Sequence, residues 1–334
     1  MPDLTTEWLG LSLRSPLVVA ASPVSRDAEA AAAAVRAGAG AVILPSLFEE
    51  ELIAEELALH RLLDAEDDRD AESGSLLPPV VVTAAGPYLA HLRALAARLD
   101  VPVIASLNGV TPGGWTDHAA ALEAAGAAAI ELNLYEVATD PDEPGDAVEA
   151  RQAEVVRAVV AAVRVPVTVK IGPSYASVPA FLRRIEAAGA RGATLFNRFW
   201  QPDVDPAALS VARRLDLSDS RELPLRLHGL ALAAPWTRLS LGCTGGVWTG
   251  EDAVKAILCG AQVVQVASAL LQHGPGRVGA ILAELRDWLA AHGHASPAEI
   301  RGLLARHPGR DPAAWERLNY IRMLGSWQPP PGWR

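Results

Sequence analysis

Lys170 stands in the run Val167-Thr168-Val169-Lys170-Ile171, whose other members suit a strand covered on both faces. An unpaired ammonium there is costly, so Lys170 needs an anionic partner: a neighbouring carboxylate such as Glu131, or an anionic ligand. A second constellation is Cys243-Thr244-Gly245-Gly246-Val247-Trp248, where two glycines follow an apolar run and precede a helix opened by Thr249, Glu251 and Asp252. Successive glycines let backbone N–H groups approach a phosphate, and the helix start adds positive charge. A plain tight turn is the bland alternative. Small residues, Ala267-Ser268, end a further β-rich run. Ser22, Ser46, Asn108, Asn133 and Asn197 follow other apolar runs, and an amide side chain offers the donor and acceptor that a heteroaromatic ring with amide edges requires.

Positioning these residues falls to an alternation of short strands and longer helices. Strands are expected at Leu17–Ala20, Ala41–Leu44, Val103–Ala105, Ala129–Leu132, Val167–Ile171, Ala193–Phe196, Leu239–Cys243 and Val263–Ala267. Helical segments between them are expected at Ala28–Ala37, Leu89–Leu99, Asp117–Ala125, Ala147–Val163, Pro179–Ala188, Leu225–Ala233 and Glu251–Leu258. Several end in a glycine between small residues, as in Ala37-Gly38-Ala39 and Ala188-Gly189-Ala190, where glycine can close the helix with a positive φ. Eight such strands fill a closed (β/α)₈ TIM barrel, although periodicity alone also admits an open doubly wound sheet. In a barrel the ligand lies at the carboxyl ends of the strands, with phosphate often held after the seventh and eighth. Three segments fall outside the alternation: a helical flap at Phe48–Pro79, an excursion after the sixth strand at Pro202–Glu222, and a C-terminal helical extension at His294–Arg334. Residues 1–334 are read as one domain.

Composition excludes several classes of function. Half of the 334 residues are hydrophobic and a fifth are charged, enough for a large core. A net charge of −10 without a basic stripe argues against a nucleic-acid partner. No signal-like N-terminus and no long uncharged apolar run is present, so a soluble cytoplasmic protein without a membrane partner is expected. The two cysteines, Cys243 and Cys259, form no C-x-x-C motif, and no metal site is expected. Cys259 reads as core packing, and His228 as a packing residue of its helix.

The ordered segments Ala20-Ala21-Ser22, Ala105-Ser106-Leu107-Asn108-Gly109, Glu131-Leu132-Asn133-Leu134, Val169-Lys170, Asn197, Thr244-Gly245-Gly246 and Ala267-Ser268-Ala269-Leu270 resemble the dihydroorotate dehydrogenase family. With Leu195-Phe196-Asn197-Arg198-Phe199-Trp200, the chain resembles its dihydroorotate dehydrogenase-like branch. The resemblance implies an FMN-dependent oxidoreductase acting on a small-molecule CH–CH group, dihydroorotate in pyrimidine biosynthesis by family. It implies that Gly245, Gly246, Ala267 and Ser268 hold the phosphate, that Ala21, Ser22 and Ser46 line the cofactor site, and that Lys170 meets the pyrimidine edge of the flavin. Asn108, Asn133 and Asn197 would contact the ring or the substrate. The family's catalytic Cys or Ser position after Asn133-Leu134 holds Glu136, so Glu136 is expected as the base beside Lys170 and Asn133, with Tyr135 as a possible acid. Pro45 replaces a family Lys. Arg198 is expected to bind a substrate carboxylate, or to pair with Asp203 or Asp205. The electron acceptor is left open, with a homodimer or a redox partner protein possible. Two other readings stay open: a non-redox phosphate-binding barrel enzyme, and a non-catalytic flavin-binding electron-transfer subunit.

Overall fold

The computed structural model describes residues 1–48, 85–109, 115–198, 202–212, 215–305 and 312–329. Apart from Phe48, the expected flap lies outside the described residues. Twelve strands occur among them: β1 (Thr6–Trp8), β2 (Leu11–Leu13), β3 (Leu17–Val19), β4 (Ala41–Phe48), β5 (Val103–Asn108), β6 (Ala129–Leu134), β7 (Val167–Ile171), β8 (Gly192–Leu195), β9 (Asp203–Asp205), β10 (Ser210–Ala212), β11 (Ser240–Thr244) and β12 (Val263–Val266). The eight expected strands are β3 to β8, β11 and β12, and they close in that order, β12 pairing β3. Closure excludes the open sheet. All barrel pairings are parallel, as connections through helices require.

Helices stand where expected, Ala28–Arg36, Ala85–Arg98, Trp115–Ala124, Gly145–Ala162, Val178–Ala187, Leu223–Ala233 and Gly250–Leu258, the second starting four residues earlier than its periodicity indicated. Arg277–Ala291 is a further helix, and its buried Val278, Ile281, Leu282, Leu285 and Leu289 follow a helical stripe. The expected C-terminal extension contains the helix Pro312–Leu324. The expected excursion carries the hairpin β9–β10. No helix among the described residues is long and apolar enough to cross a membrane.

One element was not expected. β1 and β2 form an antiparallel hairpin turning through Leu9 and Gly10, both at positive φ. Its Trp8, Leu9 and Leu13 join Val18, Ile43, Ile104 and Val263 in one buried cluster. The hairpin thus stops the amino end of the barrel with apolar side chains, leaving the carboxyl end for polar ones.

Candidate active site at the carboxyl rim of the barrel

Strand register brings the polar residues together. Asn108 pairs with Asn133, Asn133 with Lys170, and Lys170 with Thr194, so one row across β5, β6, β7 and β8 carries all four on the same face. Two residues earlier along β5 and β6, Ser106 pairs with Glu131 and forms the layer beneath. Ser46 reaches this face through an irregularity in β4: Ile43 pairs with Ile104 but Ser46 with Ser106, one extra residue that includes Pro45. The Ser46 and Ser106 hydroxyls lie 2.8 Å apart.

Glu131 is fully buried under this row. Its Oε1 lies 3.6 Å from Lys170 Nζ, and its Oε2 accepts a hydrogen bond of 3.0 Å from Gln265 Nε2. Gln265 Nε2 also donates to Thr194 Oγ1 at 2.9 Å. Glu131 therefore gives the buried ammonium a carboxylate partner, as one sequence reading expected. The contact is ionic without a hydrogen bond, and Lys170 also lines the cavity above. Gln265 and Thr194 were not singled out in the sequence; on strands they are indistinguishable from residues of an ordinary polar layer.

That cavity, of about 590 Å³, is lined by Ala21, Ser22, Ser46, Asn108, Asn133, Tyr135, Lys170, Asn197 and Arg198 from the sequence reading, together with Pro23, Arg26, Pro45 and Phe48. Asn197 Nδ2 donates to Asn133 Oδ1 at 2.9 Å, which fixes both amides. Ser22 Oγ is buried and makes no hydrogen bond among the described residues. Tyr88, from the helix outside β5, accepts from Ser106 N–H at 3.0 Å, and burial pushes its phenol well above the ordinary range.

The glycine loop follows β11, at the same carboxyl end of the barrel. Gly245 and Gly246 adopt φ of +90° and +79°. A Cβ on Gly246 would stand 2.7 Å from the backbone nitrogen of Leu223, so both conformation and space require glycine. Gly246 N–H donates to Ser218 Oγ at 3.3 Å, and the Ser218 and Ser268 hydroxyls are 2.8 Å apart. Three polar groups, after β11, after β12 and from the excursion, thus converge, with the glycine amide engaged by Ser218 Oγ. The residues fit a phosphate. Ser218 could not be placed from sequence, because only the return of the excursion brings it here. The helix start contributes less than expected: Asp252 Oδ2 accepts from Trp248 N and Thr249 N, Thr249 Oγ1 accepts from Asp252 N, and Glu284 takes Gly250 N–H. Its first amides are already engaged.

Three expectations are corrected by placement. Glu136 does not line the cavity: its carboxylate is engaged by Arg151 on one oxygen and by Gln152 Nε2 at 3.1 Å on the other. Those partners lie on the helix Gly145–Ala162, so the side chain faces the outer ring of helices and not the row of Lys170. Arg198 pairs with neither Asp203 nor Asp205 but with Glu222, at 3.0 Å. His228 does not pack within its helix; it is largely exposed, 4.0 Å from Glu316, while Arg226 of the same helix is buried. Cys259 is buried, as expected.

Comparison with known proteins agrees with this geometry. The sequence model of the family described as Dihydroorotate dehydrogenase matches residues 234–289, which include the glycine loop and Ser268. A protein of Aeropyrum pernix named as a candidate dihydroorotate dehydrogenase A (fumarate) is 36% identical over 217 residues, 62% of this chain and 69% of the relative. The dihydroorotate dehydrogenase B (NAD(+)) catalytic subunit of Desulforudis audaxviator is 28% identical over 325 residues, 90% of this chain and 97% of that one. The dihydroorotate dehydrogenase A (fumarate) of Lacticaseibacillus paracasei is 30% identical over 194 residues, 51% and 60% of the two chains. With a closed barrel, a lysine-bearing rim and a glycine loop in the matched region, the chain belongs to the dihydroorotate dehydrogenase family.

Proposed function

We propose that the protein is an FMN-dependent oxidoreductase acting on a carbon–carbon bond of a small substrate, with dihydroorotate the first substrate to test. The observation that carries this reading is the joining of Lys170, Asn133 and Asn197 in one cavity at the carboxyl rim, with the Gly245-Gly246 loop and Ser268 meeting at Ser218 on the same end of the barrel. Bound there, FMN would supply a hydride acceptor whose pyrimidine side gains negative charge on reduction. Lys170 holds fixed positive charge at the rim and is only partly offset by Glu131, so it favours that developing charge. Asn133 and Asn197, locked to each other, orient the ring or substrate with their remaining donors and acceptor. Gly246 N–H and Ser268 would hold the phosphate.

The proton that accompanies hydride transfer needs a carrier in the cavity. Tyr135 lines it and Glu136 does not, so the Tyr135 phenol takes this role as a relay, accepting the substrate proton on its oxygen as it releases its own to water. Ala21, Ser22, Ser46 and Asn108 complete the wall. The deciding experiment is purification followed by titration with FMN and anaerobic addition of dihydroorotate. A flavin spectrum that bleaches supports the whole reading. Failure to take up FMN removes it, while uptake without bleaching excludes dihydroorotate alone.

A further inference from the structure

A second cavity, of about 340 Å³, adjoins the rim cavity and shares Asn197 and Arg198 with it. Arg221, Glu222 and Arg226 also line it. Arg221 directs its charge outward to Asp219, at 2.5 Å, and is almost fully exposed. Two inner guanidinium groups remain, and they share one carboxylate. Glu222 Oε1 lies 3.0 Å from Arg198 Nη2, and its Oε2 lies 3.5 Å from Arg226 Nη2.

Arg226 is only 4% exposed, an expensive place for a cation. Its Nε donates to Thr244 O at 3.2 Å and its Nη1 to Glu222 O at 2.9 Å, both neutral carbonyls. These bonds fix the guanidinium without neutralising it, and among the described residues Nη2 makes only the long contact to Glu222. Among the described residues the inner pair therefore exceeds its carboxylate by one positive charge.

We propose that this cavity binds a carboxylate carried on an arm of the substrate, gripped by Arg198 and Arg226, while the reacting carbons lie in the neighbouring rim cavity. A monoanionic carboxylate matches a surplus of one charge; a phosphate dianion would overcompensate it. The planar fork of arginine suits a carboxylate, and Arg198, at the join of the two cavities, reaches an arm extending from one into the other. Glu222 is then an internal competitor that keeps the two cations tolerable until the ligand arrives. The substrate role of the arm rests on the oxidoreductase reading above, but binding of the carboxylate does not.

Calorimetric titration of the full-length, flavin-free protein separates the two. Butyrate serves as probe, with butyramide as its uncharged counterpart and methyl phosphate as the rival anion. Butyrate is expected to bind at least about tenfold more tightly than either, and R198M to lose about tenfold in affinity. E222Q removes the competing charge and is expected to bind butyrate several-fold more tightly, a gain that a merely structural ion pair would not produce. Equal binding of butyrate and butyramide, unchanged affinity in R198M, or weaker binding in E222Q each overturns the proposal. Methyl phosphate binding as tightly as butyrate overturns the carboxylate assignment. Butyrate binding by a protein that takes up no FMN would leave the anion site standing and remove only its link to flavin chemistry.

Discussion

Glu136 and Arg151 meet behind the strand end that carries Asn133, and their ion pair turns the carboxylate away from the rim. Gln152 holds the second oxygen and in turn accepts from Tyr175 Oη at 2.8 Å. The chain is an anchor for the loop that follows β6. It leaves Tyr135, one residue earlier, facing the cavity.

The two neighbours should therefore part company on mutation. Glu136→Gln is expected to lower the melting temperature by about 2–4 °C and to leave the rate of bound-flavin reduction within about twofold. Tyr135→Phe should instead slow that rate by about 10²-fold or more with little change in melting temperature. Stopped-flow absorbance and thermal denaturation of both variants decide the matter; a larger rate loss in Glu136→Gln would return the base role to that residue.

Lys170 and Glu131 form a cycle with separable effects. Lys170→Met strands a fully buried carboxylate and should cost about 3 kcal/mol of stability. Adding Glu131→Gln should recover most of that loss while flavin reduction stays impaired, since the charge at the rim is still missing. Urea unfolding of the single and double variants tests the first part. Recovery of flavin reduction in the double variant would show that Lys170 acts only structurally.

Gly246→Ala introduces a Cβ 2.7 Å from Leu223 N at a φ of +79°. Strain of about 1–2 kcal/mol and a displaced N–H are expected, with FMN affinity reduced by at least about tenfold. Ser268→Ala should weaken FMN similarly but with a smaller stability loss, because Ser218 retains its bond to Gly246. Fluorescence titration with FMN provides the readout.

Burial pushes the Cys243 thiol up to about 12 and the Cys259 thiol up to about 11. Neither should react with a disulfide reagent at pH 8 until the protein unfolds. Because the folded thiols keep their protons when unfolded ones, titrating near 9.0, lose them, stability should fall as pH rises from about 9 toward 12. Below pH 9 both states are protonated and no such dependence arises from them. Cys243→Ala should flatten the decline in urea midpoint between pH 8 and 10.

Much of the fold could be read from the chain because each βα unit repeats a local pattern that needs no distant partner. Buried runs such as Val167–Ile171 and glycine closures such as Gly38 and Gly189, both at positive φ, are encoded within a few residues. The N-terminal hairpin escaped this reading: three-residue strands carry too short a pattern, and Trp8 and Leu13 acquire meaning only once a barrel end exists to receive them.

The sequence alone determined which residue types stand at the carboxyl ends of the strands, and therefore that Asn108, Asn133, Lys170 and the glycine pair would share a rim once the sheet closed. Tertiary structure decided everything that depends on direction or on distant segments. Strand register aligned Lys170 above Glu131; the extra residue in β4 turned Ser46 inward; a neighbouring helix claimed Glu136; and the returning excursion delivered Ser218 and Glu222, with Arg226 on the helix that follows. Spacing along a chain fixes the face of an element, but ion pairs between elements depend on where those elements pack, and that is a property of the closed barrel.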